Sequence, residues 1–229
     1  MKEPRTPVMP TAAGAHAVSA RLSGCTWLLV LMSGLTACVN NPAIVLIALP
    51  PVVRQPPAAV TGGPATQVLL VRRLVLPEYM VARRVRYSAG VATVAEWPDA
   101  YWAERVEIGM AREFVAALRD RLPGWTVCDG DCGGATPDLT LSVALLRLDV
   151  VRRELHLRAS SRAQLVAAEP GAQPLQRISS WTERYDLAIP ADSPQGEAAA
   201  MRDLVTVLAD DAARSLLRAH ASVPTPGTP

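Results

Sequence analysis

The stretch Asp138-Leu-Thr-Leu-Ser-Val-Ala-Leu-Leu-Arg-Leu-Asp-Val150 sets the fold. Leu139, Leu141, Val143 and Leu145 fall on every second position, which is the period of a β-strand with one face in a core. Two further β runs follow, Leu155 to Ala167 and Leu175 to Ile189, and Ala168-Glu-Pro-Gly171 supplies the turn between them. These three runs predict a meander. Upstream, Gln67 to Leu76 is rich in Val and Leu and reads as a strand. Arg83 to Tyr87 and Val91 to Glu96 flank Ser88-Ala89-Gly90, a hairpin signal. Trp125 to Val127 reads as a short strand.

Two helices interrupt the strands. Trp97-Pro98-Asp99 reads as a break in the sheet pattern, with Asp99 as N-cap of a helix from about Ala100 to Leu122. Along it Trp102, Val106, Met110, Phe114, Leu118 and Leu122 recur every four residues, and Pro123-Gly124 stops it. Ser193-Pro194 starts the last helix, whose apolar face is Met201, Leu204, Val205, Leu208, Ala212 and Leu216. The expected fold is therefore α+β: a single domain over 66–219, mostly an antiparallel mixed sheet with two amphipathic helices packed on it. Residues 220–229 read as a frayed tail.

The N-terminus carries a second, independent signal. Lys2, Arg5 and Arg21 precede an apolar stretch from Cys25 to Ala37. That is the shape of a secretory signal peptide, too short for a comfortable membrane span. It ends in Leu35-Thr36-Ala37-Cys38, which resembles the lipobox of bacterial lipoproteins, with Cys38 as the acylated residue. The domain plan is thus a signal peptide over 1–37, then a lipidated Cys and a Pro-rich tether over 38–65. Several acyl chains on one Cys give stable anchoring. The residue after Cys38 is Val39 rather than Asp, and in Gram-negative lipoproteins that implies the outer membrane, facing the periplasm. Residues 39–65 would reach on the order of 80 Å as polyproline II, at about 3.1 Å per residue. Inside this tether lies Ala43-Ile-Val-Leu-Ile-Ala-Leu49, too apolar for a solvated linker. It either pairs as a strand or lies against a partner, with Ile44, Val45, Leu46 and Ile47 as the docking residues.

Composition removes several function classes. Half of the 229 residues are apolar, which excludes a long disordered protein, and no second long apolar run suggests a multi-pass membrane protein. The net charge is +2. Cleavage after residue 37 removes Lys2, Arg5, Arg21 and Glu3 and leaves 20 basic against 20 acidic residues. A neutral chain is a poor nucleic-acid binder, since that binding draws on counterion release from phosphates. No Gly-x-Ser-x-Gly elbow, Gly-x-Gly-x-x-Gly loop or phosphate loop is present. His156, between Leu155 and Leu157, reads as a solvent-facing strand residue rather than a catalytic base. Cys128 and Cys132 lack the second pair or nearby His that zinc needs, and Asp129 and Asp131 lack the further oxygen ligands of a calcium loop. In an oxidising compartment the two Cys are expected to form a disulfide. The doublets Arg72-Arg73, Arg83-Arg84 and Arg152-Arg153 read as solvated edge charges, and Trp97, Tyr101 and Trp102 as packing at the start of the first helix. No enzyme, cofactor or metal is expected.

Specific segments resemble a known family. Leu49-Pro50, then Leu76-Pro77-Glu78-Tyr79 after the first strand, then Tyr101-Trp102-Ala103-Glu104 opening a helix, look like the PqiC/YmbA type. These are auxiliary lipoproteins of ABC-type and MCE-type transport systems, and the resemblance covers the mature chain. Ile44-Val45-Leu46 departs from the pattern, since aromatic residues are common there, and so does the Cys128 to Cys132 loop. The resemblance implies a non-enzymatic partner of an MCE-domain protein and an ABC-type permease, acting as a docking adaptor in lipid traffic between two membranes. Self-association through the Ala43 to Leu49 segment is a further expectation. Two rival readings stand beside it: a lipoprotein assisting β-barrel or lipopolysaccharide assembly, and a lipid-anchored hydrolase using His156.

Overall fold

The structure, a computed structural model, describes residues 43–53, 67–167 and 177–221. Cys38, the signal peptide, the Ala168 to Gly171 turn and the tail beyond Ala221 lie outside the described residues. Among the described residues there are eight strands: β1 Val45–Ile47, β2 Gln67–Val71, β3 Arg84–Gly90, β4 Thr93–Trp102, β5 Trp125–Asp129, β6 Leu139–Val151, β7 His156–Ala167 and β8 Arg177–Ala188. Two helices, α1 Val106–Arg121 and α2 Pro194–Ala221, lie side by side. The α+β expectation holds: two helices and one mixed, open sheet.

β6 organises the sheet. Antiparallel β7 and β8 follow it on one side as the expected meander. On its other side the first residues pair with β2 and the last with β3, both parallel. The sheet then continues outward from β3 to β4 and β1, and from β2 to β5. Leu139, Leu141, Val143 and Leu145 are all buried, as their alternation requires. The alternation then slips by one residue, because Leu145 faces Ser161 while Arg147 faces Ser160. Leu146 is the extra residue of this bulge and is exposed, so that Leu148 and Val150 return to the core. The Tyr79 hydroxyl fills the gap and accepts the Leu148 N–H at 2.9 Å.

The helices bury the stripes their sequences carry. Met110, Phe114 and Leu118 of α1 meet Met201, Leu204 and Leu208 of α2 in one core with Leu69, Leu141, Leu157 and Leu165 of the sheet. α1 ends as expected, with Gly124 in the left-handed region at φ 86° just past its last turn. Ser193 caps α2 through its Oγ, which accepts the Gly196 N–H at 3.0 Å.

Three expectations are corrected. The first helix begins at Val106, not Ala100, because β4 runs on through Trp97-Pro98-Asp99 to Trp102. That tripeptide is a bulge rather than a stop. Arg84 and Arg86 of β3, two residues apart, face Tyr101 and Glu96 of β4, five apart. Pro98 needs no ladder donor there, and Asp99 takes φ 53°, which Asp tolerates better than most residues. The hairpin turn lies at Val91-Ala92, just past the expected Ser88-Ala89-Gly90, because β3 extends through Gly90. Finally, the domain does not begin at Thr66. Residues 43–53 belong to it: β1 pairs with β4, and Ile47, Leu49 and Val52 are buried in the common core. The span read as a 27-residue tether therefore includes part of the fold.

Candidate functional site

β1 ends the sheet, paired in parallel with β4 through Val45 to Ala100, Leu46 to Tyr101 and Ile47 to Trp102. Strand alternation splits the four residues expected to dock a partner. Ile44 and Leu46 point outward and are 64% and 61% exposed; Val45 at the rim is 42% exposed. Ile47 turns inward beside Trp102 and is 4% exposed. It is a core residue, which removes it from the docking set. Tyr101 is also the register partner of Arg84 on β3, so Leu46, Tyr101 and Arg84 form a row across three strands on the outer face. The Arg84 guanidinium lies 5.0 Å from the Tyr101 ring centroid.

A clasp holds this edge to the domain. The Ala103 N–H donates to the Ile47 carbonyl at 2.8 Å. Five residues on, the Val52 N–H donates to Glu113 Oε2 of α1 at 3.1 Å. Glu113 is almost buried, and its other oxygen accepts Arg112 Nε at 3.1 Å while Arg112 reaches Glu104 at 2.7 Å. Between these bonds Leu49 packs over Gly109, where a Cβ would stand 3.6 Å from that of Leu49. A carboxylate bonded to a buried backbone N–H satisfies a donor the short strand leaves over.

A second cluster lies where the β3–β4 hairpin meets α2. The β4 bulge aims Trp97 at the first turn of α2, and its Nε1–H donates to Glu197 Oε2 at 3.0 Å. Arg152 lies over the indole ring, 3.7 Å from its centroid and 4.5 Å from that of Tyr87. Its guanidinium binds Asp192 through two bonds of 2.7 and 3.0 Å, which holds that carboxyl below the usual carboxylate range. Glu197 is 1% exposed, and its Oε1 has no protein partner. Burial pushes its carboxyl up to about 8, against the lowering effect of the Trp97 bond and Arg152. No local sequence pattern announces this cluster. Arg152 read as an edge charge and Trp97 as packing, and a Glu in a first helical turn looks like ordinary dipole compensation. Beside it runs a groove of about 1010 Å³ lined by Arg147, Arg152, Arg153, Asp149, Glu154 and Asp192 among others. Val91, Val94, Leu146 and Val151 line it too, so these charged groups stand beside a surface that is apolar over most of its area.

The remaining expected site residues are dispersed. Cys128, at the end of β5, is joined to Cys132 with their Cα atoms 5.2 Å apart, and Asp131 Oδ1 caps the loop by accepting the Gly133 N–H at 2.9 Å. No group of three or more metal-ligating side chains stands together among the described residues. His156 pairs with the exposed Asp186 across β7 and β8, where that contact lowers the Asp186 carboxyl. Ser161, five residues further along β7, is buried and bonds the Tyr185 hydroxyl. No described helix is long and apolar enough to cross a membrane.

Comparison with known proteins agrees with this architecture. No curated protein matches the chain. One solved protein, of no named activity, is 18% identical with a TM-score of 0.60, covering 76% of this chain and 99% of its own. A second, from Xanthomonas campestris, is 17% identical with a TM-score of 0.60, covering 77% of this chain and 97% of its own. Both show the fold. The family model described as "ABC-type transport auxiliary lipoprotein component" matches residues 49–213. That match begins inside the clasped segment, after β1, and ends in α2, and so takes in the Trp97, Arg152 and Glu197 cluster but not Ile44 to Ile47. With this match over most of the chain and the sheet in place, this chain belongs to the PqiC/YmbA-type family of ABC-type transport auxiliary lipoproteins.

Proposed function

We propose that this protein is a non-enzymatic docking adaptor of an MCE-type lipid transport system, anchored through acylated Cys38 in the outer membrane and facing the periplasm. The observation that carries the reading is the β1 edge. It is a sheet-end strand with Ile44, Val45 and Leu46 exposed, clasped to the domain rather than free. Such an edge accepts an extended segment of an MCE-domain protein, or of a second copy of this chain, by strand addition. The ABC-type permease then couples through the MCE protein. His156 is engaged with Asp186 on the exposed face of β7 and β8, which supports the non-enzymatic reading.

Co-purification from envelope membranes tests this. The tagged protein is expected to bring down an MCE-domain protein with its permease, and a Leu46→Asp variant to lose them while remaining folded. Recovery of β-barrel or lipopolysaccharide assembly components instead would move the protein to the rival class.

A further inference from the structure

The docking of residues 43–53 onto the domain changes where the domain can stand. Resting on the reading that Cys38 is acylated, only residues 39–42 separate the anchor from Ala43. Five Cα steps of about 3.6 Å give a leash of about 18 Å at full extension. The chain next to that leash is the exposed apolar rim itself: Ile44 and Leu46 outward, Val45 at the edge, and Val53, 77% exposed, where the clasped segment ends. Behind them on the same outer face stand Tyr101 and Arg84.

From this we infer that the outer face of β1, β4 and β3, at Ile44, Leu46, Tyr101 and Arg84, lies against the bilayer to which the chain is anchored. The chemistry fits a lipid surface. Ile44 and Leu46 supply aliphatic side chains able to enter the acyl boundary. Tyrosine favours the interface because its ring is apolar and its hydroxyl wet. Arginine covers apolar surface with its stem while its guanidinium meets phosphate. An amphipathic surface of this small size binds weakly alone. The leash makes the contact intramolecular, so weak contact suffices at high effective concentration. The adaptor then sits on the membrane instead of hanging in mid-periplasm, and strand addition at the β1 edge would occur at the headgroup level.

The test uses the full, processed lipoprotein in vesicles of phosphatidylethanolamine and phosphatidylglycerol, with some lipid carrying a nitroxide near the headgroup. An environment-sensitive fluorophore is placed at Leu46→Cys, or at Leu217→Cys on the helix layer across the sheet, both exposed positions. The expected result is a blue shift and several-fold quenching at position 46 and none at position 217, with Ile44→Asp reducing the effect at 46. Vesicle-bound protein with both positions unquenched would overturn the membrane face and leave the anchor standing. Protection of position 46 only on adding the MCE partner would also overturn it, in favour of a protein occupant. Failure of the processed protein to float with vesicles would overturn the acylation reading itself.

Discussion

Replacing Glu197 by Gln should remove a pH dependence from the stability of the domain. The carboxyl titrates near 8 in the folded chain and at 4.5 in its ordinary state. Below 4.5 it is neutral in both the folded and unfolded chains, and its full stabilising effect is present. Between 4.5 and 8 the folded chain holds a proton that the unfolded chain has released. Stability therefore falls as pH rises, by about 1.4 kcal/mol per unit. Over that window the ceiling is about 5 kcal/mol, and the loss ends above 8. Gln keeps an oxygen to accept the Trp97 Nε1–H and has nothing to ionise. Asp186 and Asp192, whose carboxyls are lowered by His156 and Arg152, titrate on the acid side and are common to both proteins. Urea unfolding of the mature chain, followed by tryptophan fluorescence from about pH 5 to about pH 9, should show a falling midpoint for wild type and a flatter one for Glu197→Gln. Parallel profiles would refute the assignment of a neutral, buried Glu197 and the hairpin-to-helix latch built on it.

Other consequences are simpler to test. Leu49→Ala should cost about 2–5 kcal/mol in the same unfolding assay, as for a buried core leucine; a neutral result would return residues 43–53 to a detached tether. At Gly196 an added Cβ would stand 2.2 Å from the Ala191 carbonyl oxygen, so Gly196→Ala should destabilise by about 1–3 kcal/mol, and unchanged thermal melting would contradict that close approach. Cys38→Ala should leave an unprocessed precursor that takes up no acyl label, and normal labelling would discard the lipobox reading. Mass spectrometry of the alkylated, non-reduced mature protein should show Cys128 and Cys132 unmodified, whereas two alkylated thiols would place them reduced.

What the sequence made legible follows from how local each signal is. The meander and the stripes of α1 and α2 were readable because alternation and the four-residue repeat need only neighbouring residues. The β6 bulge left the strand reading intact, but the β4 bulge defeated it, since inserted residues reset the alternation without leaving a composition cue. At Trp97-Pro98-Asp99 the reset looked like a strand end, because proline is rare within a central ladder. The apolar character of Ala43 to Leu49 was recognised, but its partner, β4, lies more than fifty residues away, and parallel pairing leaves no turn between the strands to announce it. Glu197 was invisible for the same reason. Its burial depends on the hairpin, which brings Trp97 a hundred residues along the chain to α2.

The parallel pairing of β1 with β4 also has a mechanical side. Tension entering the domain from the chain before Ala43 along the strand direction would meet the three β1–β4 pairs, the Ala103 to Ile47 bond and the Val52 to Glu113 bond together, in shear. An antiparallel hairpin pulled from one end would instead open one bond at a time. A short strand so arranged resists load out of proportion to its three residues.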